Sequence, residues 1–143
     1  MIRVVTGHIC SGKSRFVDEN ATAGSVVIDM DRIALSLSPR GTNHHAYSDT
    51  MRDIARAARN AAFDEAVKLH DAGLVEDVWA IHAYPSQQDI EGYRRRGWQV
   101  IDIKSDDATV MARARAERPS HIVQELERRL DRPRITRVFR ASS

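Results

Sequence analysis

Short runs of β-branched and other apolar residues alternate along the chain with segments of helical periodicity. Strands are predicted at 2–6, 25–29, 75–83 (centred on 78–81) and 98–103. Helices are predicted at 13–20, from about 31, from 48 or 49 to 71, at 86–96, at 106–117 and from 120 or 121 to 130. Because strands alternate with helices, the sequence predicts a three-layer α/β/α sandwich with a mostly parallel sheet of four or five strands.

The longest predicted helix has an apolar stripe and a recognisable end. The stripe comprises Met51, Ile54, Ala58, Ala62, Ala66 and Leu69. Gly73 fits the C-terminal cap of this helix. The helix that follows the second strand is expected to have Asp31 as its cap. Between these two helices, residues 38–45 are small and polar and cannot build a core, so we expect this segment to be mobile.

Length and composition indicate one compact domain that spans residues 1–143. The 143 residues are 42% hydrophobic, and no linker divides them. The lone cysteine, Cys10, excludes an internal disulfide and is typical of a reducing cytoplasm. We see no signal peptide and no apolar run near the ~20 residues of a membrane helix, so no membrane partner is expected. The net charge of +2 favours no class of partner by itself.

The strongest chemical signal is a phosphate-binding loop between the first strand and the first helix. The sequence fits G-x-x-x-x-G-K-[ST] without departure, and its residues are Gly7, His8, Ile9, Cys10, Ser11, Gly12, Lys13 and Ser14. The two glycines let the backbone bend closely around an anion, and the helix N-terminus faces the phosphates. Lys13 is expected to reach the β- and γ-phosphates, and the Ser14 hydroxyl to ligate Mg²⁺. The loop therefore predicts binding of ATP or GTP.

Two carboxylates follow the second strand, at the sheet edge where ligands bind in open α/β folds. Asp31 is the predicted base that accepts a proton from an attacking hydroxyl, and Asp29 is its partner on the metal or substrate side. The alternative is structural: Asp31 caps a helix and Asp29 closes a turn.

Arginines are concentrated in the last third of the chain. Arg113, Arg115 and Arg118 precede Pro119 and predict a basic lid, around residues 113–121, that neutralises phosphate charge. The alternative is a solvated helix face. The tail, 132–143, is also basic; it either contacts a nucleic acid backbone or is solvated, and we favour solvation.

Other polar residues carry weaker signals. His82 follows the third strand and either lines the site or has no role. His44 and His45 have no partners at metal-ligand spacing, so no metal site is predicted there. One face of the longest helix carries arginines that either bind an anionic substrate or form an exposed stripe: Arg52, Arg56 and Arg59.

On residues 7–14 and 28–31, the chain resembles the small P-loop kinases of the adenylate-kinase-like group. Within that group it is most similar to polynucleotide-kinase-like or zeta-toxin-like AAA-type ATPase domains often found in phage genomes, over about residues 2–131. The resemblance to polynucleotide kinases implies that Asp31 is the base toward a 5′-hydroxyl. The resemblance to shikimate kinase implies that Asp29 and Asp31 serve Mg²⁺ and the substrate.

Further along the chain, residues 112–119 resemble the lid of these kinases. Pro133 and Arg134 match, loosely, the region that binds adenine in them. The resemblance thus implies ATP and Mg²⁺ as cofactors and a phosphoryl transfer to a hydroxyl acceptor: a nucleic acid 5′-end, a nucleotide or a small metabolite. Two other functions stay open. One is a nucleotide switch with slow or absent hydrolysis, and the other is nucleic-acid binding.

Overall fold

The computed structural model describes residues 1–43, 46–132 and, as backbone, 140–142. These residues form five strands, which are β1 (Ile2–Thr6), β2 (Val26–Ile28), β3 (Val78–Ile81), β4 (Gln99–Lys104) and β5 (Arg140–Ser142). The strand order in the sheet is β2-β3-β1-β4-β5. All four neighbouring pairs are parallel. The fold is therefore the α/β architecture that the sequence predicts.

Six helices connect these strands within the described residues. They are α1 (Lys13–Asn20), α2 (Met30–Ser36), α3 (Asp49–Asp71), α4 (Gln87–Arg95), α5 (Asp107–Glu117) and α6 (Ser120–Leu130). Four of them start at side-chain caps, because Asp29, Ser48, Ser86 and Asp106 each accept a hydrogen bond from a backbone N–H of the first turn. Ser86 also forms a reciprocal capping box with Asp89.

One face of the sheet packs against α1. Val5, Trp79 and Ile101 alternate with residues of the opposite face, and Val17 of α1 is fully buried among them. Phe16 of α1 packs edge-on against Trp79, with ring centroids 6.2 Å apart. This layer fixes α1, and with it the loop that precedes α1, to the middle of the sheet.

The other face packs against α3 and α4. Phe63 of α3 lies in the core beside β2 and β3, and Tyr93 of α4 packs against Val4 and Val100. Trp98 joins the two groups, because it stacks on Tyr93 at 5.6 Å and meets Phe63 edge-on at 5.5 Å. Helices therefore cover both faces, and the predicted three layers are confirmed.

Two predictions about helices are wrong in detail. Asp29, not Asp31, is the N-cap of α2, since its side chain accepts from the Asp31 N–H. In α3 the predicted stripe is only partly right, because Ala66 lies in the core but other members do not. Ile54 is 51% exposed, and the buried positions include Ala55 and Phe63. The alanine-rich sequence offers several equivalent faces, and the large Phe63 ring decides which one is buried.

The basic tail contributes a strand that the sequence pattern does not predict. The backbone of 140–142 pairs in parallel with β4, in the register Asp102 to Arg140. The backbone of these three residues therefore belongs to the sheet, and the predicted solvation of the tail stays a prediction. Residues 44–45 and 133–139, with Pro133, Arg134 and the paired histidines, lie outside the described residues. No helix in the described part of the chain is long and apolar enough to cross a membrane.

Candidate active site

The loop between β1 and α1 turns tightly over the end of the central strand. Gly7 and Gly12 have φ angles of 154° and 98°, and Cys10 is the one non-glycine residue with a positive φ among those described. A Cβ atom at Gly7 would lie 2.5 Å from Ser11 Oγ and 2.8 Å from the Ile103 carbonyl oxygen. Gly7 is thus required both by its backbone angle and by the close packing of the loop.

The interior of this loop fits a phosphate group. The Ser11 hydroxyl is buried there and has no hydrogen-bond partner within the described residues. Helix α1 starts at the loop with no side-chain cap and no acidic residue in its first turn, so no carboxylate from this turn neutralises its positive N-terminal end. Backbone N–H groups at such an end bind anions.

Lys13 lies across the loop. Its side chain is 9% exposed, and its Nζ atom donates to the carbonyl oxygens of Gly7 at 2.9 Å and His8 at 2.6 Å. These bonds keep the ammonium group over the loop, where a nucleotide phosphate would meet it. The predicted contact of Lys13 with nucleotide phosphates stays a prediction.

Ser14 and Asp29 meet beside the loop. The Ser14 hydroxyl donates to Asp29 Oδ2 at 3.1 Å, while Asp29 Oδ1 accepts from the Asp31 N–H at 3.0 Å. Asp29 is 5% exposed. Mg²⁺ in proteins is commonly held by one or two carboxylates together with substrate phosphates and water, so this hydroxyl and carboxylate fit it. No cluster of three or more acidic, histidine or cysteine ligands occurs in the described ranges.

A cavity of about 900 Å³ opens over the loop and joins most of the predicted site residues. Its wall includes Lys13, Ser14, Asp29, Asp31, Arg56, Arg59, His82, Tyr84, Arg113 and Arg118. Asp31 lies in the first turn of α2. The two carboxylates that the sequence pairs are thus at the same cavity as the phosphate loop.

The predicted lid residues differ in position. Arg113 donates to the Cys10 carbonyl oxygen at 3.1 Å, which ties α5 to the loop. Arg118 is 12% exposed and lies 3.6 Å from a Glu117 carboxylate oxygen. Arg115 does not line the cavity; it pairs with Glu127 of α6 at 3.7 Å and is 65% exposed. Two of the three predicted arginines therefore face the site, and Arg115 fits the alternative of a solvated helix face.

Cys10 lies inside the loop and is half-buried. Burial raises the pKa of its thiol, against the opposing effect of Arg118. A raised pKa disfavours the nucleophilic thiolate at neutral pH.

His82 and two arginines of α3 line the far side of the cavity, a placement that the sequence leaves open. His82 Nδ1 lies 2.9 Å from the Tyr93 hydroxyl. Burial, and then the charge of Arg59, lower the pKa of His82, so the ring is neutral near pH 7. Arg56 and Arg59 reach this wall from α3, whereas Arg52 does not.

Tyr84 is a site residue that the sequence analysis misses. Its hydroxyl accepts from the Ile9 N–H at 3.4 Å and lies 3.2 Å from His8 Nδ1. The Arg129 guanidinium of α6 lies 3.8 Å from the centroid of the Tyr84 ring. Tyr84 therefore links the phosphate loop to α6. The aromatic residue just past the end of β3 is the signal that could have drawn attention to it.

A phosphate loop that joins the central strand of a parallel sheet to its first helix defines a P-loop α/β fold. No protein-family model matches this chain, and no curated protein matches it in sequence. Among solved structures, the chain is similar to the tunicamycin resistance protein of Deinococcus radiodurans, with a TM-score of 0.47 and 16% sequence identity. The match covers 91% of this chain and 78% of that one.

Proposed function

We propose that this protein is a small P-loop kinase that transfers the γ-phosphoryl group of ATP to a hydroxyl acceptor, with Mg²⁺ as cofactor. The observation that supports the proposal is a cavity that is lined both by residues of the phosphate loop and by Asp31.

The donor half of the cavity binds the nucleotide through the loop. The backbone around Gly7 and Gly12 surrounds the phosphates, and Lys13 turns from the loop carbonyls to the β- and γ-phosphate oxygens. Arg113 of α5 and Arg118, which follows α5, add positive charge beside the loop. Charge that is fixed in place before the reaction stabilises the transferred group without reorganisation.

Ser14 and Asp29 are the residues that would hold Mg²⁺. The ion would neutralise phosphate charge and thereby assist transfer. Asp29 is fixed for this role because it also caps α2 through the Asp31 N–H.

The acceptor half contains Asp31 as the proposed base. Its carboxylate takes the proton from the acceptor hydroxyl while the hydroxyl oxygen forms a bond to the γ-phosphorus. The bond from that phosphorus to the β,γ-bridging oxygen breaks, and the electron pair leaves with ADP. The products are ADP and a phosphorylated acceptor, with one proton released by Asp31.

A second function is favoured by the end of β3. This strand ends at Ile81 and is followed by His82, so no acidic residue is available there to activate water. That feature agrees with a nucleotide switch that hydrolyses ATP slowly. The two functions differ in one property, because only a kinase releases ADP in response to an acceptor.

The test is ADP release from the purified protein with ATP and Mg²⁺, with and without acceptors. The panel contains 5′-hydroxyl oligonucleotides, nucleosides, nucleotides and hydroxylated metabolites. Asp31→Asn is expected to bind ATP normally and to lose acceptor-dependent turnover by a factor of about 10² to 10⁴. Asp18→Asn removes an exposed carboxylate of α1 outside the cavity and serves as the matched control. Full turnover by Asp31→Asn would exclude Asp31 as the base.

A further inference from the structure

Arg59 has an unusual environment in the cavity wall. Its guanidinium donates to the Ile81 carbonyl oxygen and to Asn60 Oδ1, both at 3.3 Å. It also lies 5.1 Å from the centroid of the Phe63 ring. All of these partners are neutral, so they orient the guanidinium and leave its charge uncompensated.

The charge of Arg59 is partly removed from water. Within the described residues, no carboxylate lies at ion-pair distance from it, and burial lowers the pKa of its guanidinium. Asp64 and Asp89 exert only a longer-range attraction. A half-buried cation without an anionic partner destabilises the folded protein, and an anion bound beside it would offset that cost.

Arg56 adds a second cation to the same wall. It precedes Arg59 by one helical turn of α3, and both line the cavity that contains Asp31. The contact of Arg56 with Asp53, at 3.5 Å, is solvent-exposed and therefore weak. Helices α2 and α3 pack against each other, which holds Asp31 and this pair of arginines on neighbouring elements.

We propose that Arg59, with Arg56, forms an anion-binding subsite for the acceptor, which therefore carries a phosphate or carboxylate group in addition to its hydroxyl. This inference rests on the proposed function and specifies its second substrate. The guanidinium plane of arginine pairs with two oxygens of such a group at once, so the anion would fix the orientation of the acceptor toward Asp31.

The subsite is tested first by binding, without any turnover. The protein is saturated with Mg²⁺ and a non-hydrolysable ATP analogue, so that the phosphate loop is filled. Inorganic phosphate and, separately, acetate are then titrated by calorimetry. Arg59→Met is expected to weaken binding of the preferred anion about 30-fold or more, and Arg59→Lys less. Arg52→Met, on the same helix but outside the cavity, is expected to leave the anion affinity unchanged. Unchanged anion affinity in Arg59→Met would overturn the proposal.

Turnover with matched acceptors is the second test. Nucleosides are compared with nucleoside monophosphates, and neutral sugars with sugar phosphates and sugar acids, which also separates phosphate from carboxylate. The anionic member of a pair is expected to be preferred, and Arg59→Met is expected to raise its KM by the same factor while the KM for ATP stays constant. Preference for the neutral members would refute the subsite and leave the kinase intact. Anion binding that depends on Arg59, without turnover of any acceptor, would refute the kinase and leave the subsite intact.

Discussion

Replacing Gly7 by alanine tests whether the geometry of the phosphate loop is as tight as the structure indicates. The added Cβ would lie 2.5 Å from Ser11 Oγ and 2.8 Å from the carbonyl oxygen of Ile103. The serine side chain can rotate, but the carbonyl belongs to β4, which is paired with β1. Loop and strand cannot separate without loss of sheet hydrogen bonds.

The expected cost has two parts. A non-glycine residue at the φ of Gly7, 154°, is strained by about 1–3 kcal/mol. Forcing a methyl group into a packed site costs about 1–3 kcal/mol more. Gly7→Ala should therefore lower the free energy of unfolding by roughly 2–6 kcal/mol, a large part of the ~5–15 kcal/mol that is typical of a domain.

Substitutions at two other glycines separate the cost of backbone strain from the cost of the close contacts. Gly73 has a φ of 78° and open space where the added methyl group would lie, so Gly73→Ala measures backbone strain alone. Gly24 has neither a positive φ nor a neighbour within 4 Å, so Gly24→Ala measures the background effect of the exchange. The assay is urea denaturation followed by tryptophan fluorescence, together with ATP affinity measured by calorimetry.

The stability loss should be largest for Gly7→Ala, smaller for Gly73→Ala and near zero or negative for Gly24→Ala. ATP affinity should fall only in Gly7→Ala, since Gly7 alone among these three glycines lies in the proposed phosphate-binding loop. Adding Ser11→Ala to Gly7→Ala should restore part of the stability, because one of the two close contacts is removed. If Gly7→Ala unfolds at the same urea concentration as Gly73→Ala and binds ATP normally, the loop is not packed as described and the reasoning fails.

Three further predictions follow from the same geometry. Lys13→Ala should abolish detectable ATP binding in calorimetry, because it removes the ammonium group that the loop holds over its backbone. Ser86→Ala should lower the free energy of unfolding by about 1 kcal/mol in urea, because α4 loses its capping box. Asp89 has a pKa held below its ordinary value by its hydrogen bonds with Ser86, so its stabilisation is present above pH 3.8 and is lost as the pH falls further. In thermal melts, the melting temperature of Asp89→Asn should therefore fall less than that of the wild type as the pH drops below 3.8.

Each of these predictions has a contradicting result. Lys13→Ala that binds ATP with wild-type affinity would place the nucleotide elsewhere. A Ser86→Ala variant as stable as wild type would mean that α4 does not depend on its cap. If the melting temperature of Asp89→Asn falls with pH as steeply as that of the wild type, the pH dependence comes from other carboxylates.

The phosphate loop and most element boundaries could be predicted because their signals are contiguous in sequence. Eight consecutive residues specify the loop, and Ser48, Ser86 and Asp106 mark helix starts by their position before a helical pattern. Such signals depend on a few neighbouring backbone groups and hardly on the tertiary fold.

The far wall of the cavity could not be predicted, because its residues come from separate elements. Arg59 belongs to α3 and His82 follows β3, and they meet because α3 packs against β3, where Arg59 donates to the Ile81 carbonyl oxygen. The buried face of α3 likewise depends on tertiary packing, because it is set by the contacts of Phe63 with the core. The strand at 140–142 has three residues and no alternating pattern, so no local sequence signal predicts it.

The two tryptophans provide separate optical reporters for the two faces of the sheet. Trp79 contacts Phe16 on the side of α1, whereas Trp98 stacks on Tyr93 on the side of α3 and α4. In a Trp98→Phe variant the emission would report on the layer that carries the phosphate loop. In a Trp79→Phe variant it would report on the layer that carries Arg59. The packing of the two faces of the sheet can therefore be followed one at a time, in solution and without an attached dye.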